Sequence, residues 1–236
     1  LGFPLRVKKV ESQEIWDFKI TVTLVLLYFF VLYPGIQFFF RGHPWMPQYA
    51  YLTIFLAALF YVLGIKKISL NQLGFSLRFF KNHLLIGLIS GGLIVSALPL
   101  LDALISISGL EANELFSESV KQREVDDEMT FQPLNILGQV FLFPVSKQFL
   151  LTGLIFIGLK RQFKPILAIY GTAVIFTLVH FQLNLGTFAL GLITALLYHW
   201  TGTLYASILF HASCSLAGLI LLNVYPRLTT LLVFLF

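Results

Sequence analysis

The feature that most constrains this chain is a succession of apolar runs, each about 20 residues long, separated by short polar or basic connections. A run of that length crosses a hydrocarbon core of about 30 Å as a helix, which satisfies its own backbone groups where no water can. The strands of a membrane barrel would instead alternate over about ten residues, a pattern this sequence does not follow. Composition agrees. With 58% hydrophobic residues, 11% charged residues and a mean hydropathy of +0.86, the chain has too little polar surface to cover a soluble globule. The expected fold class is an all-α polytopic membrane protein of about seven transmembrane helices (seven to eight), with amphipathic surface segments beside them.

Residues 1–18 carry both signs (Arg6, Lys8, Lys9, Glu11, Glu14, Asp17) and are expected at the interface, ahead of a single helical domain over 19–236. Spans are expected near 20–40, 48–65, 84–107, 134–159, 166–181, 185–200 and 204–222. The tail 228–236 is too short for a span of its own. Between the second and third spans lies a basic loop with Lys66, Lys67, Arg78 and Lys81 and no acid, in which Leu70-Asn71-Gln72-Leu73-Gly74-Phe75 reads as an amphipathic surface element. In the third span, Gly87, Gly91 and Gly92 allow a neighbouring helix to approach closely. The loop over 108–133 is acidic, and the fourth span ends in the basic stop Lys160-Arg161-Gln162-Phe163-Lys164. An N-terminus on the cytoplasmic side puts both basic segments on that side and the acidic loop on the other. The net charge of +5 is then a property of membrane-surface loops, and no nucleic acid partner is expected. The single cysteine, Cys214, excludes an internal disulfide and a cysteine-cluster metal site. Nothing after Leu1 reads as a cleavable signal peptide.

Inside the fourth span stands Pro144-Val145-Ser146-Lys147-Gln148-Phe149-Leu150-Leu151-Thr152-Gly153. A lysine at the centre of a membrane helix opposes insertion by roughly 2.5 to 3.5 kcal/mol, so such a residue usually faces a protein interior or a wet cavity. His180 and His211 have similar settings in later spans. Gln148 with Thr152, Phe176 with His180, and His211 with Ser215 are each four residues apart, so each pair shares one helix face. One traverse and a connection separate each motif from the next, so the three faces are expected to converge.

Taken together these motifs resemble those of the CAAX-protease and bacteriocin-processing (CPBP, or Abi) family of intramembrane endopeptidases. Family members carry Glu-Glu-x-x-x-Arg, then Phe-x-x-x-His, then His-x-x-x-Asn or Asp. The resemblance covers roughly residues 66–223. Here the first motif reads Lys147-Gln148 with Thr152, the second is complete in Phe176 and His180, and the third keeps His211 but has Ser215 in place of the amide or acid. In the family the first glutamate activates water while the histidines and the last residue position it and stabilise the oxyanion. By position Lys147 replaces that base, and an ammonium has no lone pair to accept a proton. Gln148 and Thr152 replace a charged pair by a neutral one, which can be nearly neutral in stability when both partners change together.

The resemblance therefore implies a pseudoprotease: a catalytically inactive relative that acts by binding other integral membrane proteins, as an assembly factor or accessory subunit of a membrane complex. Degenerate relatives are associated with thylakoid biogenesis, so a thylakoid membrane stands beside a bacterial plasma membrane as the expected home. An active endopeptidase of the CAAX type with altered chemistry is the alternative, for instance with Lys147 as base for Ser213 or Ser215. A pigment- or small-molecule-binding protein is the third reading, although one unpaired histidine per span is a weak ligand set for haem or chlorophyll. No cofactor or metal is expected. Lys147 has a plainer reading as a residue snorkelling to the interface. His83 and His199, near span ends, are expected to be interfacial, and Asp102 to lie toward the outer end of its span, away from the site.

Overall fold

The computed structural model describes residues 18–39, 46–65, 67, 69–109, 136–180 and 184–231. The mixed-charge start, the turn at 41–45, the body of the acidic loop and the last residues of the tail lie outside the described residues. Within them every regular element is helical: α1 (18–39), α2 (46–65), α3 (Phe80–Ile107), α4 (Gly138–Gln162), α5 (Pro165–Val179), α6 (Leu185–Thr201), α7 (Leu204–Asn223) and the single turn α8 (Leu228–Leu231). The chain is an all-α membrane protein. Three of these helices, α3, α4 and α7, are long and apolar enough to cross a membrane. The others lie close to the runs read from hydropathy but are shorter than a full crossing or interrupted.

α4 is the axis of the bundle. Its most apolar stretch is 67% buried inside the protein, against 17% for α3 and 44% for α7, so α4 packs on protein while α3 turns most of its surface outward. α1, α2, α5, α6 and α7 all touch α4, α5 and α6 form an antiparallel hairpin, and α3 lies along α7. The α3–α7 approach depends on missing side chains: a Cβ at Gly87 would stand 2.9 Å from the Ala206 carbonyl oxygen, and one at Gly91 would collide with Ser213. Buried hydroxyls are satisfied locally. Thr172, Thr177 and Thr194 donate to carbonyls of their own helices, and Ser207 donates across to the Thr194 carbonyl oxygen at 2.8 Å.

α4 is not a uniform α-helix. Its turns widen to the π form at Gly138–Leu142 and again at Phe149–Phe156. The first widening sits just before Pro144, whose ring would clash with the carbonyl four residues back in a regular α-helix and which has no N–H to donate to it. The second begins immediately after Gln148 and contains Thr152 and Gly153. Wide turns of this kind re-aim side chains within a helix and recur at functional positions.

The Leu70–Phe75 stretch lies at the surface as expected but is also anchored in the core. It is a turn whose outer residues are exposed but whose inner residues belong to the core: Leu73 is 3% exposed, and Phe75 stacks on Phe149 with ring centroids 6.4 Å apart. Gly74, at φ 94°, presses on Tyr198 and accepts the Leu204 N–H at 2.9 Å, supplying a partner to one of the free donors that open α7. A side chain there would need a left-handed backbone and would enter the Tyr198 ring, so glycine is required. The element is amphipathic, with Leu70 exposed on its outer side; what the structure adds is that its inner apolar side packs against α4 and α7.

Candidate functional site

α4, α5 and α7 bring their polar residues together. Lys147 Nζ lies 2.9 Å from His180 Nε2, and Gln148 Nε2 lies 2.9 Å from His211 Nδ1. Gln148 and His211 are buried and Lys147 and His180 half-buried. Phe176 packs between the two imidazoles, stacked on His180 at 4.6 Å and tilted toward His211 at 5.7 Å. It can reach that position because α6 offers Gly191 opposite it, where a Cβ would come within 2.8 Å of the Phe176 Cβ.

Hydrogen-bond accounting fixes the tautomers. The Phe176 carbonyl can only accept, so the His180 Nδ1 2.6 Å away carries a proton and donates it. Facing the lysine, His180 Nε2 then accepts from the Lys147 amino group. Thr152 Oγ1 donates to Gln148 Oε1 at 2.5 Å, which orients the amide so that its NH2 group donates to His211 Nδ1. His211 is therefore neutral with its proton on Nε2. Of the four ring nitrogens, two are occupied as acceptors and two carry protons, so neither imidazole retains an open lone pair.

Most of the residues singled out in the sequence meet here: Lys147, Gln148, Thr152, Phe176, His180 and His211. Ser215 is not hydrogen-bonded to any of them. It is half-buried and makes no hydrogen bond among the described residues, and its neighbour Ser213 is packed against Gly91, so neither serine is hydrogen-bonded to Lys147. Lys147 does not snorkel; its bond to His180 holds its head in the protein interior. His83 bonds Thr203 at 3.0 Å, and His199 lies edge-on to Phe156, both away from the site. Asp102 is engaged elsewhere, by the Arg227 guanidinium, whose NH2 group donates to Oδ2 at 2.7 Å and to Ser106 Oγ at 2.9 Å. Among the described residues no group of three or more His, Cys, Asp or Glu is placed to hold a metal ion.

Sequence reasoning missed three supporting residues. Gly191 makes room for Phe176, Phe149 joins the site's helix to the Leu73–Phe75 turn, and Ser146 is fully buried with its hydroxyl on the Phe143 carbonyl oxygen at 3.0 Å. A glycine within an apolar helix was the one available signal, and it carries no information about which neighbour it admits.

No curated protein and no solved structure matches the chain. A family model does match, over residues 129–217, the interval that contains all three motifs. That model is described as Type II CAAX prenyl endopeptidase Rce1-like, so residues 129–217, which span most of α4 to α7, are similar to that family.

Proposed function

We propose that this chain is a catalytically inactive CPBP-family membrane protein that works by binding other integral membrane proteins, as an assembly factor or accessory subunit of a membrane complex. The observation that carries the reading is the Lys147–His180 hydrogen bond at 2.9 Å. Water-activated peptide hydrolysis needs a group that accepts a proton from water within hydrogen-bond reach. At the position where the family has its glutamate, this chain has a donor, and that donor occupies the one acceptor nitrogen of His180. Gln148 does the same to His211. The neutral Gln148–Thr152 pair keeps the helix face hydrogen-bonded without the charges of the family motif. These features support a fold maintained for contacts while the proton-transfer chemistry was given up.

The N-terminus on the cytoplasmic side, a multi-pass count of about seven spans, and a plasma or thylakoid membrane as the home belong to the same proposal. An active endopeptidase with altered chemistry is the competing reading; it needs a base that neither serine is bonded to.

The deciding experiment incubates purified protein in lipid nanodiscs with prenylated and transmembrane peptides, in parallel with gentle solubilisation and mass spectrometry of what copurifies. No cleavage and a stoichiometric membrane-protein partner are expected. Cleavage that disappears on Lys147→Ala or Ser215→Ala would overturn the proposal in favour of an active protease.

A further inference from the structure

The segment 67–81, which links α2 to the first turn of α3, carries an unusual outer side. Lys67, Arg78 and Lys81 are exposed and have no acidic partner among the described residues, while Leu70, Leu77 and Phe79 beside them are 48%, 75% and 56% exposed. The Arg78 guanidinium lies over the Phe79 ring at 5.2 Å, so cation and apolar surface form one patch. Among the described residues the two non-glycine positions with positive φ are Lys67, at 52°, and Phe79, at 61°, both in this segment. For a bulky aromatic such a backbone is costly, and it persists only where the surroundings impose it.

The place of the patch says what covers it. Phe80 begins α3, a helix long and apolar enough to cross a membrane, so the patch stands where the chain enters hydrocarbon. A layer that is anionic outside and apolar just beneath accommodates both its cations and its exposed leucines and phenylalanine. An acidic protein surface would pair the cations but leave Leu77 and Phe79 against polar groups. The inner side of the same segment is fixed in the core by Leu73, by the Gly74–Leu204 hydrogen bond and by the stacking of Phe75 on Phe149. Anything bound outside therefore stabilises the packing between this turn, α4 and α7.

We propose that segment 67–81 is a binding site for the headgroups of anionic phospholipids. The inference is independent of whether the chain is an active protease. A ligand that binds only the folded protein raises its unfolding midpoint, which gives the test. The full chain in neutral detergent is unfolded thermally with added phosphatidylglycerol or phosphatidylcholine. Phosphatidylglycerol is expected to raise the midpoint by a few degrees, on the order expected for saturating occupancy of one site, and phosphatidylcholine to leave it unchanged. The Lys67→Gln/Arg78→Gln/Lys81→Gln variant keeps the phosphatidylcholine midpoint and loses the rise. Should the triple variant unfold early, native mass spectrometry of the single variant Lys81→Gln reads the same property as a reduced number of retained phosphatidylglycerol molecules. A full rise in the triple variant, or an equal rise with both lipids, overturns the proposal. So does an acidic protein that copurifies with the wild type and not with the triple variant in the absence of any phosphatidylglycerol effect.

Discussion

Among the described residues, two polar clusters that interrupt the apolar interior are built on opposite principles. At one end of the α3–α7 pair, Asp102 and Arg227 form a two-pronged ion pair, with Ser106 as a further acceptor, and their side chains are 20% and 25% exposed. Between α4, α5 and α7, a lysine and an amide donate to two neutral imidazoles. The first cluster balances its charge with a carboxylate and is partly exposed, so it closes a structural joint between helix ends at little cost. The second places a cation on a neutral acceptor deeper in the fold. On the proposed binding reading, the desolvation cost of that arrangement is borne because the site holds a partner. The contrast separates a polar group that serves the fold from one that the fold has been arranged to hold.

Substitutions that leave one partner behind test this most severely. Gln148→Leu abandons both the Thr152 hydroxyl and His211 Nδ1 in the interior, and a loss of about 3 kcal/mol is expected in reversible unfolding, from two unmade buried hydrogen bonds. Arg227→Met leaves the Asp102 carboxylate behind; because that group is partly exposed, the expected loss is smaller, about 2 kcal/mol, between the surface and buried limits. Converting both members, Asp102→Leu with Arg227→Met, is expected to recover most of that loss, to within about 1 kcal/mol of wild type; a double variant as unstable as the single one would show that Asp102 and Arg227 are not a self-contained joint.

The smallest stability effect is expected where the functional effect is largest. Lys147→Met removes the cation together with its desolvation cost and leaves His180 Nε2 without its donor, so the unfolding midpoint should move by no more than about 1 kcal/mol equivalent. Copurification of a membrane partner should nevertheless fall in this variant. A large drop in stability with unchanged partner binding would place Lys147 with Arg227, among residues that serve the fold.

The site was partly legible in the sequence because its local pairs are set by helix geometry. Gln148 with Thr152 and Phe176 with His180 meet as their four-residue spacing requires. His211 and Ser215 share a face of α7 by the same rule, but sharing a face does not oblige a short hydroxyl to bond a ring already held by Gln148. The Leu70–Phe75 turn shows a related limit: an amphipathic pattern shows that one side is buried and is silent about whether lipid or protein buries it.

What the sequence alone determined is the class of fold and the places where helices run, because hydrophobic length and a self-satisfied backbone leave few alternatives in a membrane. It also determined which motif residues face one another within a single helix. Only the tertiary structure decided that Lys147 donates to His180, that Gln148 donates to His211, that Asp102 meets Arg227, and that Gly74 accepts from Leu204. These partners are far apart along the chain, and their meeting depends on helix rotation, on the wide turns of α4, and on the close approaches that Gly87, Gly91 and Gly191 permit. Those are properties of packed surfaces, which no local spacing encodes.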